Sequence, residues 1–210
     1  MWGGKIINDD GTIWLSPDYI PINLWERGEL IINLPFPNTF VSTVPINKTA
    51  VFFISQAGEG AVDARQVNVN GFHALRIMRA TEHVNSIKIY CFANMAREPH
   101  DGGIRFYDNG GNITYSSEMI PLELHSHIVD RPQGTTTIDV GIRAAVLPNF
   151  SGTVSTFDSG LGVFRIFSIH AAAVGTSIAT RLILLTGSAS GPVAYTYTNQ
   201  IYFIYVDKYD

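Results

Sequence analysis

The chain has little cysteine and little charge. Cys91 is the only cysteine among 210 residues, so no disulfide can form within the chain, and a catalytic thiol would need a histidine beside it. Because Cys91 lies in the apolar run Ile87–Phe92, we expect a buried, unreactive thiol. Charged residues make up 15% of the chain and apolar residues 46%, a balance that excludes disorder and leaves apolar surface for a partner.

Basic clusters and long apolar runs are also missing. The formal net charge is −4 and the cations are spread singly, so no basic stripe could follow a phosphate backbone, and nucleic acid is not an expected partner. No stretch approaches the ~20 apolar residues that span a bilayer, and the start Met1–Gly4 lacks the features of a secretory signal. We therefore expect no membrane insertion, no secretion, and folding in a cytosol.

Helical periodicity is nearly absent as well. Short runs rich in Ile, Val, Phe, Tyr and Thr recur instead between clusters of Gly, Asn, Asp and Pro. This pattern predicts an all-β fold of β-sandwich-like halves, or a jelly roll, with little or no helix. Asp9-Asp10-Gly11 and Asn70-Gly71 predict tight hairpin turns. Only Ala171–Ala179 could form a helical turn, and a loop is an equal alternative there.

Two strands of the second half are apolar at consecutive positions. One contains Leu182–Leu185, within the predicted strand Thr180–Thr186, and the other is Ile201–Val206. Both faces of such strands are expected to leave water. One of these faces is therefore a candidate subunit interface.

The chain contains an internal repeat. Gly3–Leu24 aligns with Gly102–Leu124 when one extra residue, Gly111, is allowed, and both copies keep the glycines, the turn Asp and an Ile-Pro pair. Glycine opens a strand, Asp and Gly form a turn and Ile-Pro ends the hairpin, so the repeat predicts two equivalent hairpins. Together with the break near residue 100 it predicts two related halves, 1–100 and 101–210; two hairpin copies within a single domain are the alternative.

The two copies also resemble a known group of proteins. The first reads Ile-Ile-Asn-Asp-Asp-Gly-Thr-Ile-Trp-Leu over 6–15, and the second reads Gly-Ile-Arg-Phe-Tyr-Asp-Asn-Gly-Gly-Asn-Ile-Thr-Tyr-Ser-Ser over 103–117. These stretches resemble small, uncharacterised tail-associated structural proteins of tailed bacteriophages. The resemblance implies a virion component of the tail or its tip, made in the cytoplasm of the bacterial host. It implies no cofactor and brings no catalytic residues with it.

One histidine pair has the spacing of a strand, His125-Ser126-His127. Alternate residues of a strand face the same way, so three such pairs around a threefold axis could bind a metal, as in the His-x-His motif of some phage spike tips. No hexapeptide repeat surrounds the pair, so we favour a solvated loop and expect no metal. Gly-x-Ser-x-Gly and paired carboxylates are missing, and Gly58-Glu59-Gly60 is typical of a turn, so we expect no enzyme.

Aromatic residues are the expected contacts with partners. The candidates are Trp14, Trp25, Phe36 of the Pro35–Pro37 loop, and Tyr202, Phe203 and Tyr205 of the last predicted strand. We expect them to contact other copies of this chain, in a ring or trimer, and other phage tail proteins. A module at the tail tip that binds a host receptor or glycan, and a capsid decoration protein, are the alternatives.

Overall fold

The computed structural model describes residues 6–7, 9, 13–15, 20–99, 102–129, 135–189, 191–192, 194–196 and 200–210. At 6–7, 13–15, 186–189 and 194–196 only the backbone is described. Within these ranges the regular structure is strand, apart from a single 3-10 turn at Val206–Lys208. The all-β prediction is confirmed. None of the described segments forms a helix long and apolar enough to cross a membrane.

The described strands are rich in β-branched and aromatic residues, which fit a pleated surface better than a helix. In chain order they are β1 Ile6–Ile7, β2 Ile13–Leu15, β3 Asn23–Ile31, β4 Asn38–Pro45, β5 Ala50–Ala57, β6 Val62–Val69, β7 Phe72–Ala80, β8 Ser86–Ala93, β9 Arg105–Tyr107, β10 Ile113–Ser116, β11 His125–Ile128, β12 Thr136–Asp139, β13 Ala144–Val146, β14 Phe150–Asp158, β15 Val163–Val174, β16 Ser177–Ala189, β17 Ala194–Thr196 and β18 Gln200–Tyr205.

The strands form three antiparallel sheets and two separate hairpins. A six-stranded sheet has the order β11-β18-β13-β5-β8-β3, a five-stranded sheet β12-β16-β15-β14-β17, and a three-stranded sheet β4-β7-β6. The hairpins are β1–β2 and β9–β10. The six-stranded sheet is central, because it is covered on both faces.

The inner face of the central sheet contributes to the main core. Phe52 and Ile89 pack there in one cluster with Leu75 of the three-stranded sheet and Ala171 of the five-stranded sheet. These two sheets therefore form the second layer of a sandwich. Cys91 lies in this core with 0% exposure, and burial raises the pKa of its thiol to about 12, so the predicted buried thiol is confirmed.

The outer face of the central sheet carries a second, aromatic cluster. The Phe92 ring makes edge contacts with Phe53 at 5.6 Å and with Tyr209 at 5.0 Å between centroids. The segments that follow the two repeated hairpins cover this cluster with apolar side chains, namely Ile22, Leu24, Ile120 and Leu122. Strands β5 and β8 are therefore apolar on both faces.

The central sheet takes its strands from both halves of the chain. β3, β5 and β8 precede residue 100, whereas β11, β13 and β18 follow it, and β13 pairs directly with β5 through Val146 and Ile54. The two predicted halves therefore do not form two separate sandwiches. Residue 100 lies between strands that belong to one continuous sheet.

The repeat forms two hairpins in the same register. The backbone pairs are Ile6–Leu15 and Ile7–Ile13 in the first, and Phe106–Tyr115 and Tyr107–Ile113 in the second. Each hairpin has an irregularity between these two pairs. The prediction of equivalent hairpins is confirmed for the described backbone. The register equates Ile6 with Phe106 and Ile13 with Ile113, so the described strands of the two hairpins align without treating Gly111 as an extra residue.

The segments after the hairpins pair with each other around a local twofold axis. Leu24 N donates to Ile120 O at 2.8 Å and Leu122 N donates to Ile22 O at 2.9 Å, on either side of a bridge between Asn23 and Pro121. The two segments run antiparallel, and Ile22 and Leu122, which are equivalent positions of the repeat, lie opposite each other. The two copies of the repeat are thus hydrogen-bonded to each other over the outer face of the central sheet.

Two local predictions are wrong. Ala171–Ala179 is neither helix nor loop: it comprises the end of β15, a two-residue turn at 175–176 and the start of β16, and Gly175 in the turn has a φ of +57° that suits glycine. Val174, Thr176 and Ile178 are β-branched, which favours strands on both sides of this turn. The His-x-His pair lies in β11 at the edge of the central sheet and not in a loop.

Candidate functional site

Strand β11 places His125 beside the aromatic end of β18. Its ring centroid lies 4.4 Å from that of Tyr205 and 5.5 Å from that of Phe203, and Nε2 lies 3.4 Å from Glu123 Oε1. His127 is exposed. His125 therefore packs against its own chain. Within the described ranges no three His, Cys, Asp or Glu side chains come together as metal ligands would.

The strand predicted to be an interface is internal to the sheet. β18 lies between β11 and β13, so both of its edges are paired. Phe203 is 5% exposed and belongs to the main core, which makes it a structural residue and not a surface contact. Tyr202 and Tyr205 are half-buried, and the Tyr202 hydroxyl donates to Gln200 Oε1 at 2.9 Å. Here the chain itself covers both apolar faces.

Trp25 and Phe36 are half-buried and pack against the main core. Trp25 Nε1 donates to Thr43 Oγ1 at 2.8 Å, and the Arg97 guanidinium lies 4.1 Å from the centroid of the indole ring. This cation–π contact occupies an indole face on which a sugar could otherwise stack. Trp14 lies in β2, where only the backbone is described.

A cleft of about 440 Å³ opens beside Trp25, between β3 and the segment that follows β10. Its polar groups are largely engaged within the chain. The Asn23 side-chain nitrogen lies within 3.1 Å of three carbonyl oxygens, and Glu26 accepts from the Thr43 amide at 2.9 Å and from its hydroxyl at 3.1 Å. Glu98 lies 3.7 Å from Arg105. The Asn23 and Glu26 contacts hold β3 to its neighbours, which is a structural role.

The β14–β15 hairpin leaves the sandwich. None of the residues 153–167 is buried, whereas all of 168–173 are. The exposed stretch, which we call the distal segment, is nevertheless apolar: Phe157 is 58% and Leu161 65% exposed, and the rings of Phe157 and Phe164 lie 5.1 Å apart. Its turn is fixed by Asp158, whose carboxylate accepts from two backbone amides and pairs with Arg165 at 2.6 Å.

A smaller pocket lies at the seam between β6 of the three-stranded sheet and the five-stranded sheet. This seam pocket has a volume of about 380 Å³ and is lined by 63–65, Phe150, Ser168, His170 and Leu185. Ser168 and His170 are 2% and 4% exposed, and His170 Nε2 lies 2.8 Å from Ser168 Oγ. Burial lowers the pKa of His170; Asp63 partly offsets this and Arg65 adds to it.

A cluster of charges holds residues 206–210 against the outer face of the central sheet. The Asp210 carboxylate accepts from the Tyr90 hydroxyl at 2.7 Å, lies 2.8 Å from Arg143 Nη1 and 3.6 Å from Lys88 Nζ. Burial opposes ionisation of Asp210, but the Tyr90 hydrogen bond and the two cations outweigh it and lower its pKa. Burial and the carboxylate also raise the pKa of Tyr90.

Sequence patterns could not indicate the seam pocket. Phe150 pairs with His170 in the β14–β15 hairpin, but Asp63 is far from both along the chain and reaches them only because β6 packs against β15. No sequence motif marks His170, because a serine two residues before a histidine is common in strands and does not indicate a site. Comparison of the chain with protein-family models, with curated proteins and with solved structures found no match.

Proposed function

We propose that this chain is a non-catalytic assembly protein whose copies associate through the distal segment, and that it serves in the virion of a tailed bacteriophage, as a tail or tail-tip component. The observation that carries the assembly proposal is a hairpin of fifteen residues, 153–167, without a buried side chain and with Phe157 and Leu161 largely exposed. Exposed apolar residues grouped on one projecting element are typical of protein contact sites.

The partner favoured by this surface is a second copy of the chain. An apolar hairpin can pack against its own equivalent around a rotation axis, which gives the ring or trimer expected of a virion protein. The resemblance of residues 6–15 and 103–117 to phage tail proteins supports the virion context. The glycan alternative is not favoured, because Arg97 already covers the Trp25 ring.

The assembly proposal is tested by the oligomeric state of the whole chain. Light scattering after size-exclusion chromatography should give a homo-oligomer for the native sequence and a smaller species for Phe157→Ser combined with Leu161→Ser. Leu34→Ser is the matched control, since Leu34 is 82% exposed but lies outside the distal segment. A native chain that stays monomeric, or a control that dissociates as fully as the double variant, contradicts the proposal.

The virion proposal needs a separate experiment. Mass spectrometry of purified phage particles, with electron cryomicroscopy to count copies, should find the chain in stoichiometric amount at the tail. Its absence from the particle would remove the virion role and leave the assembly proposal standing. Capsid decoration would be recognised by copies on the head.

A further inference from the structure

The seam pocket combines a buried carboxylate with a buried imidazole. Asp63 is 8% exposed, and the Arg65 guanidinium lies 3.4 and 3.5 Å from its carboxylate oxygens, the outer limit of a hydrogen bond. The Arg65 side chain is 66% exposed, so the cation lies at the rim and the carboxylate lies deeper. The deep end of the pocket therefore favours positive charge.

The hydrogen bonds of Ser168 fix the protonation of His170. The Ser168 hydroxyl donates to the Ile183 carbonyl at 3.3 Å, because a carbonyl can only accept. Its oxygen must then accept from His170 Nε2 at 2.8 Å, which places the imidazole proton on Nε2. Nδ1 is left as an acceptor. The lowered pKa keeps this ring neutral near neutral pH.

The walls of the pocket are apolar. Phe150 and Leu185 line it together with Ala64, and its volume of about 380 Å³ lies within the range of small-ligand sites. Asp63 and His170 thus line the same cavity, whose other walls are largely apolar, and both can accept a hydrogen bond. A ligand that satisfies both needs several N–H donors, a positive charge and a short aliphatic chain.

We propose that the seam pocket binds a primary alkylammonium group, with the ammonium on Asp63 and His170 and the aliphatic chain against Phe150 and Leu185. A primary ammonium has enough N–H donors to satisfy both acceptors, and its charge compensates the buried carboxylate. Such a group is carried by free aliphatic amines and diamines and by lysine side chains. The site is independent of the distal segment.

The test uses probes of equal chain length on the full-length protein. In isothermal titration calorimetry, n-pentylamine should bind, pentanol should bind more weakly and pentanoate should show no binding. Asp63→Asn should weaken pentylamine by at least about tenfold, as expected for loss of one charged hydrogen bond. Arg65→Gln should strengthen it, because the competing cation is gone. Asp158→Asn removes an ion pair outside the pocket and should change nothing.

Nitrogen-15 NMR of His170 provides a second readout. Pentylamine should shift Nδ1 and leave Nε2 protonated. Putrescine and Nα-acetyl-lysine methylamide then identify the source of the ammonium group, according to which binds more tightly. Pentanoate binding as tightly as pentylamine, or an Asp63→Asn variant of unchanged affinity, overturns the proposal. If Asp63→Asn fails to fold, the comparison of the three probes on the native chain and on Arg65→Gln decides.

Discussion

Phe203 and Tyr202 are neighbours on β18 with different environments. Phe203 lies in the main core, whereas Tyr202 is half-buried on the other face of the strand. We expect Phe203→Ser to lower the free energy of unfolding by about 3–5 kcal/mol, as for other large core truncations. Tyr202→Ser should cost about 1 kcal/mol. Urea unfolding of both variants measures the difference, and equal losses would show that Phe203 is not a core residue.

The ionisation of Asp210 should make the free energy of unfolding depend on pH in the acid range. Its folded-state pKa is lowered below the ordinary 3.8, so the stability it adds is present above that value and is lost as the pH falls through the folded pKa. Asp210→Asn should therefore lower the free energy of unfolding at pH 7, by about 1 kcal/mol or less because solvent screens the cluster. The difference in stability between the native chain and the variant should begin to shrink below about pH 4 and disappear as the pH falls through the lowered folded-state pKa.

The control for this effect is Asp9→Asn, which changes an exposed carboxylate in a turn. Denaturant unfolding across the pH range should show little difference between this variant and the native chain. A native-minus-Asp210→Asn difference that is constant from pH 7 to pH 3 would mean that the carboxylate charge plays no part.

The two runs of consecutive apolar residues show how far burial can be predicted from residue type alone. Leu182–Leu185 and Ile201–Val206 have the same consecutive pattern, yet Leu184 is 43% exposed whereas Ile204 is fully buried. The pattern correctly indicates that a side chain tends to leave water. Whether such a side chain is buried by its own chain or by a partner depends on which strands pack beside it. The local sequence does not determine those neighbours.

Turns between strands depend on glycine in two different ways. Gly71, in the Asn70-Gly71 turn, has a φ of +85° and open space around it, whereas at Gly58, with φ of +101°, an added Cβ would lie 1.8 Å from the carbonyl oxygen of His83. Gly71→Ala should cost about 1–2 kcal/mol from backbone conformation alone. Gly58→Ala should cost more, because backbone atoms must also move apart.

Thermal unfolding of the two glycine variants compares these costs directly. Gly102→Ala is a suitable control, since an added Cβ there meets nothing within 4 Å and no positive φ is required. If Gly58→Ala proved no worse than Gly71→Ala, the close approach of residues 58 and 83 would be in error.

Strands were predictable where turn chemistry marks their ends. Asn70-Gly71 correctly indicates the β6–β7 hairpin, because an Asn-Gly pair suits the tight turn between two strands. β4 was missed, because the prolines at 35, 37 and 45 around it resemble a loop. β11 was missed because its polar residues at 125–127 gain their strand conformation by pairing with β18.

At the scale of the whole molecule, the central sheet could not be predicted from the repeat. Sequence similarity between the two hairpins suggested two halves, but β13 joins β5 across the expected boundary. Such pairing joins residues distant in the chain and leaves no short-range pattern. The repeat instead appears in the structure as two similar hairpins and as the local antiparallel pairing of 22–24 with 120–122.

The antiparallel pairing of the two copies predicts that equivalent truncations in them lower the free energy of unfolding by similar amounts and that these losses are coupled. Ile22 and Leu122 lie opposite each other and cover the same outer cluster, each half-buried. Ile22→Ala and Leu122→Ala should each cost about 1–2 kcal/mol, below the loss for fully buried residues. Because each truncation removes contacts of the other, the double variant should cost less than the sum by at least about 0.5 kcal/mol.

A double-mutant cycle by urea unfolding measures this coupling. Ile22→Ala combined with Leu75→Ala is the matched control, since Leu75 lies in the main core on the other side of the central sheet, and these two losses should add. Additive losses for Ile22 and Leu122 would mean that the copies cap the sheet independently. Coupled losses of similar size would show that the two copies of the repeat cover the outer face of the central sheet as one unit.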